Sequence, residues 1–279
     1  MKRETKRKWK TVILMVCMIA IALVYIYPIY LMVINSFKSF QEVLTDVLSL
    51  PGKMMLENYT YVMDKMKYFL LFRNNVLITT LSIIGIVLFS SMAAYITDRR
   101  NNRYTVIARK IITIPMLIPF QTIMISLLKV TTVLHLSGSK LGLSIQYWGF
   151  GVPMAMFIFY NFICTVPKEL DESAEIDGAS TFQIYLRVIF PLLKSVVFTV
   201  IVIDVMWIWN DFLLPLLMVN STNETKTLVL AAYTFVGQFN TQWHYAMSSM
   251  VLAVLPSIII FIFLQKYIVD GVVAGAVKG

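Results

Sequence analysis

At 279 residues the chain has the length of one or two water-soluble domains, yet 58% of it is apolar, only 14% is charged, and the mean hydropathy is +0.76. A soluble protein carries about 45–50% apolar and about 25% charged residues, so this chain has too little polar material to coat a water-facing surface. Composition therefore implies an integral membrane protein and excludes a disordered chain, a collagen-like fibre and, with only Cys17 and Cys164 available, a disulfide scaffold. Both cysteines lie in apolar runs and are expected to be small buried hydrophobes. The net charge of +9 would suggest nucleic acid as a partner for a soluble protein. In a membrane chain it bears instead on which side of the bilayer the basic residues occupy, and no nucleic-acid partner is expected.

About 20 helical residues cross a hydrocarbon core about 30 Å thick. The first predicted span is 11–34, which carries no charge. It follows a basic segment, 1–10, that resembles the start of a signal peptide, but the apolar run is too long and no small-x-small site follows it. The second span is 75–96. A third, 111–128, contains Pro115 and Pro119, read as tolerated kinks. The fourth is 143–166 and the fifth 195–219, with Asp204 and Asp211 inside it. The last is 246–264, because 237–244 is too polar for lipid and 227–236 is read as an external segment that need not cross. These make one all-α membrane domain over 11–268 and a tail, 269–279. With six spans the termini share a side. Placing them in the cytoplasm puts 16 basic residues inside and 8 outside, the bias that favours this orientation.

Between spans four and five, residues 167–191 carry the most detailed local signal. Pro167 can open a helix, and Glu169, Asp171 and Glu172 suit its positive N-terminal end. Gly178 is placed to end it in a left-handed turn. Ser180 and Gln183 form a capping-box pattern, Phe182, Tyr185, Leu186 and Ile189 then form an apolar stripe, and Pro191 is expected to stop that second helix. Two short helices around a glycine corner make a cytoplasmic knob suited to docking; the plainer reading is a solvated acidic connector.

The run Glu172-Ser173-Ala174, Asp177-Gly178-Ala179, then nine residues to Val188-Ile189-Phe190-Pro191, resembles the EAA motif of ABC-importer permeases. Ser173, Val188 and Phe190 are mild departures from that pattern. Glu57-Asn58-Tyr59, Pro167-Lys168-Glu169-Leu170, Trp209-Asn210-Asp211-Phe212 and the tail ending Gly275-Ala276-Val277-Lys278-Gly279 are similar to the carbohydrate branch, typified by the second permease of maltose and oligosaccharide importers. The resemblance implies the six-helix type I importer permease fold in a bacterial plasma membrane. It implies a second homologous permease, two cytoplasmic ATPase subunits, a solute-binding protein outside and a sugar substrate. Glu172, Ser173, Ala174, Asp177, Gly178 and Ala179 would then couple to the ATPase. Gly275, Lys278 and Gly279 would enter the cleft between ATPase subunits, and Gly237, Gln238 and Asn240 would meet the binding protein. ATP and Mg would be used by the partner ATPase, with no cofactor or metal bound by this chain. No phosphate-cradling G-x-x-x-x-G-K-[ST] occurs: around Gly52-Lys53, Val47 and Met54 stand where the first glycine and the Ser or Thr belong.

Asp204, Trp207, Trp209, Asn210 and Asp211 are the polar and aromatic material of the fifth span, with the two aspartates seven apart on nearly one helical face. Ionisable groups at membrane depth usually face a bundle interior or water. Packing, contact with sugar and proton coupling all remain open for them. His135 and His244 fall in predicted external loops without metal-ligand spacing, and no nucleophile has a base, so no catalytic residue is assigned. Two other readings stand beside an ABC sugar permease: a permease for a non-sugar solute such as glycerol phosphate, and a stand-alone ion-coupled sugar carrier. The carrier would carry inverted repeats, which the sequence does not display.

Overall fold

A computed structural model describes residues 2–100, 102–237 and 241–276, with side chains between 9 and 265. Its elements are helical, and no strand occurs among the described residues. In chain order they are α1 (Lys2–Ser36), α2 (Phe40–Thr45), α3 (Glu57–Met66), α4 (Tyr68–Arg99), α5 (Arg103–Thr113), α6 (Phe120–Val133) and α7 (Lys140–Ile163). There follow α8 (Glu169–Ile176), α9 (Thr181–Ile184), α10 (Phe190–Leu192), α11 (Lys194–Asn210), α12 (Leu213–Met218), α13 (Leu228–Ala232) and α14 (Trp243–Ala276). Four helices are long and apolar enough to cross a membrane: α1 from Trp9, α4, α7, and α14 as far as Gln265. Two bent helix pairs raise the number to six if each pair is one span.

Proline chemistry accounts for the bends. The third predicted span is not one kinked helix: α5 and α6 are bent by 107°, with a 3-10 turn over Ile114–Leu117 between them. Ile118 takes extended backbone, as a residue before proline favours, and Pro119 is extended after it. The fifth span is also interrupted. α11 ends at Asn210, Asp211 is extended with ψ 138°, and α12 begins two residues later. Pro215 lacks an N–H for the carbonyl of Asp211 and its ring would collide with it, so the helix breaks at that carbonyl. Pro191 does not stop the helix before it. A π-helical stretch, Tyr185–Ile189, makes room for the ring, the helix continues to Leu192, and a 77° bend follows. In α14, Pro256 frees the carbonyl of Leu252, which accepts a hydrogen bond from the Tyr68 hydroxyl at 3.3 Å.

The chain divides into two compact units. The first is Met1–Tyr68 with Ala232–Ala253. Its polar ties gather at the end of α1. The Asn58 amide donates to the carbonyls of Ser36 and Lys38 at 2.9 Å each, and the buried Lys38 ammonium donates to the Asp46 carbonyl at 2.8 Å. Ser39 and Glu42 close a capping box on α2. Hydrogen bonds from the Ser39 backbone and hydroxyl hold the Glu42 carboxyl below its usual value, and the N–H groups of Leu48 and Ser49 do the same for Asp46. His244, expected in a loop, lies in the first turn of α14, with its ring 5.5 Å from Phe40.

The second unit is Phe69–Ala231 with Val254–Gly279. Its core draws Ile78, Ile86 and Tyr95 from α4, Tyr147, Met156 and Phe159 from α7, Ile189 beyond α9, and Val200 and Ile208 from α11. Glycines let α4 and α7 approach closely: a methyl at Gly85 would overlap the Trp148 indole, and one at Gly151 would overlap Ile86. The expected external segment, 227–236, is no plain loop. Thr227, Leu228 and Leu230 are buried, and the Leu228 N–H donates to Asn75 Oδ1 at 2.8 Å. The expected burial of the cysteines is overturned: both Cys17 and Cys164 are exposed, Cys164 just past the end of α7 with Sγ 3.2 Å from Asp98 Oδ1.

Candidate functional site

The knob between the fourth and fifth spans is built by local rules. Ser173 Oγ donates to the Glu169 carbonyl at 2.7 Å, and three acidic residues occupy the first turn of α8. At its end Gly178 has φ +80°, the Gly178 N–H donates to the Glu175 carbonyl, and the Ala179 N–H reaches back to Ala174, both at 3.0 Å. That is a Schellman closure, which glycine adopts without penalty. Ser180 and Gln183 form a reciprocal capping box, with the Ser180 N–H donating to Gln183 Oε1 at 2.8 Å. Glu172, Ser173, Asp177 and Gly178 are exposed, whereas Ala174 and Ala179 pack on the core. Ile176 and Phe182 present large apolar side chains at 87% and 59% exposure.

One residue of the knob turns inward, and sequence reasoning assigned it only a helix-end charge. Asp171 is 7% exposed. It accepts the Tyr95 hydroxyl at 2.7 Å and the Arg99 Nε at 3.0 Å, both from the end of α4. Arg99 also donates to Asp98 at 2.7 Å and to the carbonyl of Val166 at 3.1 Å. Nearby, Ser91 and Tyr185 share a hydrogen bond of 2.7 Å. Buried charge is retained where it is paired and hydrogen-bonded, and here both conditions hold. α8 is therefore pinned to α4.

The fifth-span residues part company. Asp204 stays inside α11, 6% exposed, and its Oδ2 is buried without a hydrogen-bond partner among the described residues. Trp209 is buried, edge-on to Phe72 at 5.7 Å, and its carbonyl accepts from Asn75 at 3.3 Å. Asn210 donates to the Met206 carbonyl at 2.8 Å and accepts from Ser257 at 3.2 Å. These contacts are packing. Asp211 does not share a helical face with Asp204, because it stands in the break after α11. There its carboxylate accepts the Tyr147 hydroxyl at 2.9 Å and the Leu213 N–H at 3.1 Å. Trp207 meets Tyr147 edge-on at 5.5 Å. Trp207 and Asp211 face a common cavity of about 200 Å³.

Of the other expected contacts, Gly237 is described and its carbonyl accepts from Thr241 at 3.0 Å, while Gln238 and Asn240 lie outside the described residues. The helical backbone of α14 runs through Gly275 to Ala276, so the expected small-residue tail is helix over most of its length; Lys278 and Gly279 lie outside the described residues. No group of three or more His, Cys, Asp or Glu placed to hold a metal occurs among the described residues.

Four to six candidate spans, with a pinned knob between two of them, mark an integral membrane protein. Residues 85–273 match the family described as binding-protein-dependent transport system inner membrane component, and the chain belongs to that family of multi-pass membrane permeases. It is 40% identical, over 93% of its length and 94% of the relative's, to a probable starch degradation products transport system permease protein, AmyC, of Thermoanaerobacterium thermosulfurigenes. It is 34% identical, over the full length of both chains, to the multiple sugar-binding transport system permease protein MsmG of Streptococcus mutans. In fold it is similar to a chain of a bacterial ABC transporter involved in import of the acidic polysaccharide alginate. That likeness has a TM-score of 0.77 at 20% identity and covers 92% of this chain and 95% of the other.

Proposed function

We propose that this chain is the permease subunit of an ATP-driven importer that carries a sugar or short oligosaccharide across the plasma membrane. The observation that carries the reading is similarity over at least 93% of the chain to permeases named for starch products and for multiple sugars. The chain pairs with a second homologous permease, a solute-binding protein delivers sugar to the outer face, and two ATPase subunits use ATP and Mg in the cytoplasm. Both termini and the knob face the cytoplasm, the side given the larger share of basic residues. Residues 172–179 seat in the ATPase, with Ile176 and Phe182 as apolar anchors, their exposure being high for side chains of that size. Because Asp171 ties α8 to α4, a displacement of the knob is delivered to a spanning helix rather than absorbed in a loop.

Alternating access then requires that ATP and the loaded binding protein each favour one conformation. Driving the cavity from 1:99 to 99:1 takes about 5.5 kcal/mol of differential binding. Deleting the coding frame tests the proposal. Uptake of labelled short oligosaccharides should fall to background and return with the wild-type chain. Intact oligosaccharide uptake together with loss of glycerol phosphate uptake would overturn the sugar reading in favour of a non-sugar permease.

A further inference from the structure

Among the described cavities, the one at the α11–α12 break combines irregular backbone with sugar-compatible chemistry. Phe120, Gln121, Phe150, Trp207 and Asp211 line it together with two leucines. Phe120 opens α6 just after the Pro119 break, so two interrupted helices meet at this cavity. Within a bilayer, non-helical backbone persists only where it is buried in protein or lines a watered space. Here the broken ends line a cavity.

Its chemistry is selective. Trp207 is 39% exposed, and Phe120 and Phe150 pack edge-on at 5.5 Å, so the walls are aromatic. Asp211 accepts the Tyr147 hydroxyl and the Leu213 N–H, and the Phe212 and Leu214 N–H groups also lie toward it, which fixes the carboxylate at the cavity wall. Gln121 adds an amide that both donates and accepts. No Lys or Arg lines the cavity, and its one charge is negative, so a phosphorylated or carboxylated solute would be repelled. A neutral polyol fits: hydroxyls donate to Asp211 and pair with Gln121, while the weakly positive C–H face of a sugar ring lies on the negative face of an indole. At about 200 Å³ the cavity is smaller than a typical small-molecule site, which points to one sugar unit and not a whole oligosaccharide.

We infer that Trp207, Asp211 and Gln121 form a subsite on this chain for a single neutral sugar unit of the transported solute, an inference that rests on the importer reading above. The test uses the complete transporter in liposomes, with its partner permease, ATPase and binding protein, and labelled maltotriose, raffinose and arabinotriose as probes. For the sugar that the wild type carries, W207A and Q121A should each cut uptake at least about fivefold. W207F, which keeps a flat ring, should stay within about threefold of the wild type. Adding that sugar should change the intrinsic fluorescence of the wild-type complex by more than that of W207F, the difference being the Trp207 contribution. Gln121 is exposed, so Q121A reports on the subsite even where loss of the Trp207 bulk disturbs assembly. Wild-type uptake by both W207A and Q121A would overturn the subsite, and so would W207F failing as badly as W207A. A wild-type complex that carries none of the three probes would instead overturn the importer reading itself, and the variants would not need to be compared.

Discussion

Gly178 shows how one backbone angle sets the shape of the knob. A side chain there would meet nothing within 4 Å, so the cost of replacing it is conformational: about 1–2 kcal/mol for a left-handed L-residue, and more for a β-branched one. Gly178→Val should abolish ATP-driven uptake and ATPase co-purification while membrane insertion survives, and Gly178→Asn should lose little. Normal uptake by an abundant Gly178→Val variant would refute the coupling role. A second residue-scale expectation concerns pH. Glu42 and Asp46 have folded values below their ordinary 4.5 and 3.8, so their contribution is complete above those values and fades as pH falls through the folded ones. Protection of the amides across residues 39–52, corrected for the intrinsic exchange rate at each pH, should therefore fall in acid, and Glu42→Gln should flatten that dependence. Legibility at this scale followed range. The Gly178 turn and the Ser180 box are local and could be read directly. The partners of Asp171 lie 72 and 76 residues away, and no pattern in one sequence marks such a pairing.

Elements were legible where hydropathy alone decides and misread where prolines cluster. The helices α1, α4, α7 and α14 follow from long uncharged runs, whereas the third and fifth spans, expected to be continuous, are broken. The Asp211 break is legible by counting four residues back from Pro215; Pro115 and Pro119 together break the third span, where either alone would only kink it. Pro215→Ala should let α11 extend through Asp211, removing the carboxylate from its Tyr147 and Leu213 contacts. Uptake should fall with protein abundance unchanged; wild-type uptake would mean that the break is incidental. The contact between α4 and α7 offers another check. Gly85→Leu would drive a side chain into the Trp148 indole, whose Nε1 donates to the Leu81 carbonyl at 3.0 Å. Overpacking of this kind costs about 1–3 kcal/mol, so the variant should melt several degrees lower in detergent, with Gly85→Ala milder.

For the whole molecule, the family was legible because the EAA spacing is a rigid mechanical pattern and survives mild substitution. Topology rests on charge bias and is directly measurable. A fluorescent protein fused after Gly279 should glow, and an alkaline phosphatase inserted near residue 53 should be active; the opposite pair of results would invert the orientation. Pinning of α8 has a consequence for the exchange of parts between transporters. Residues 168–184 look like a portable cassette, with their own caps and corner, yet the carboxylate of Asp171 is seated in a socket made by Tyr95 and Arg99. Grafted alone into a permease without that socket, the cassette would carry a buried, unpaired acid. Chimeras that trade ATPase preference should therefore work only when residues 95 and 99 travel with it.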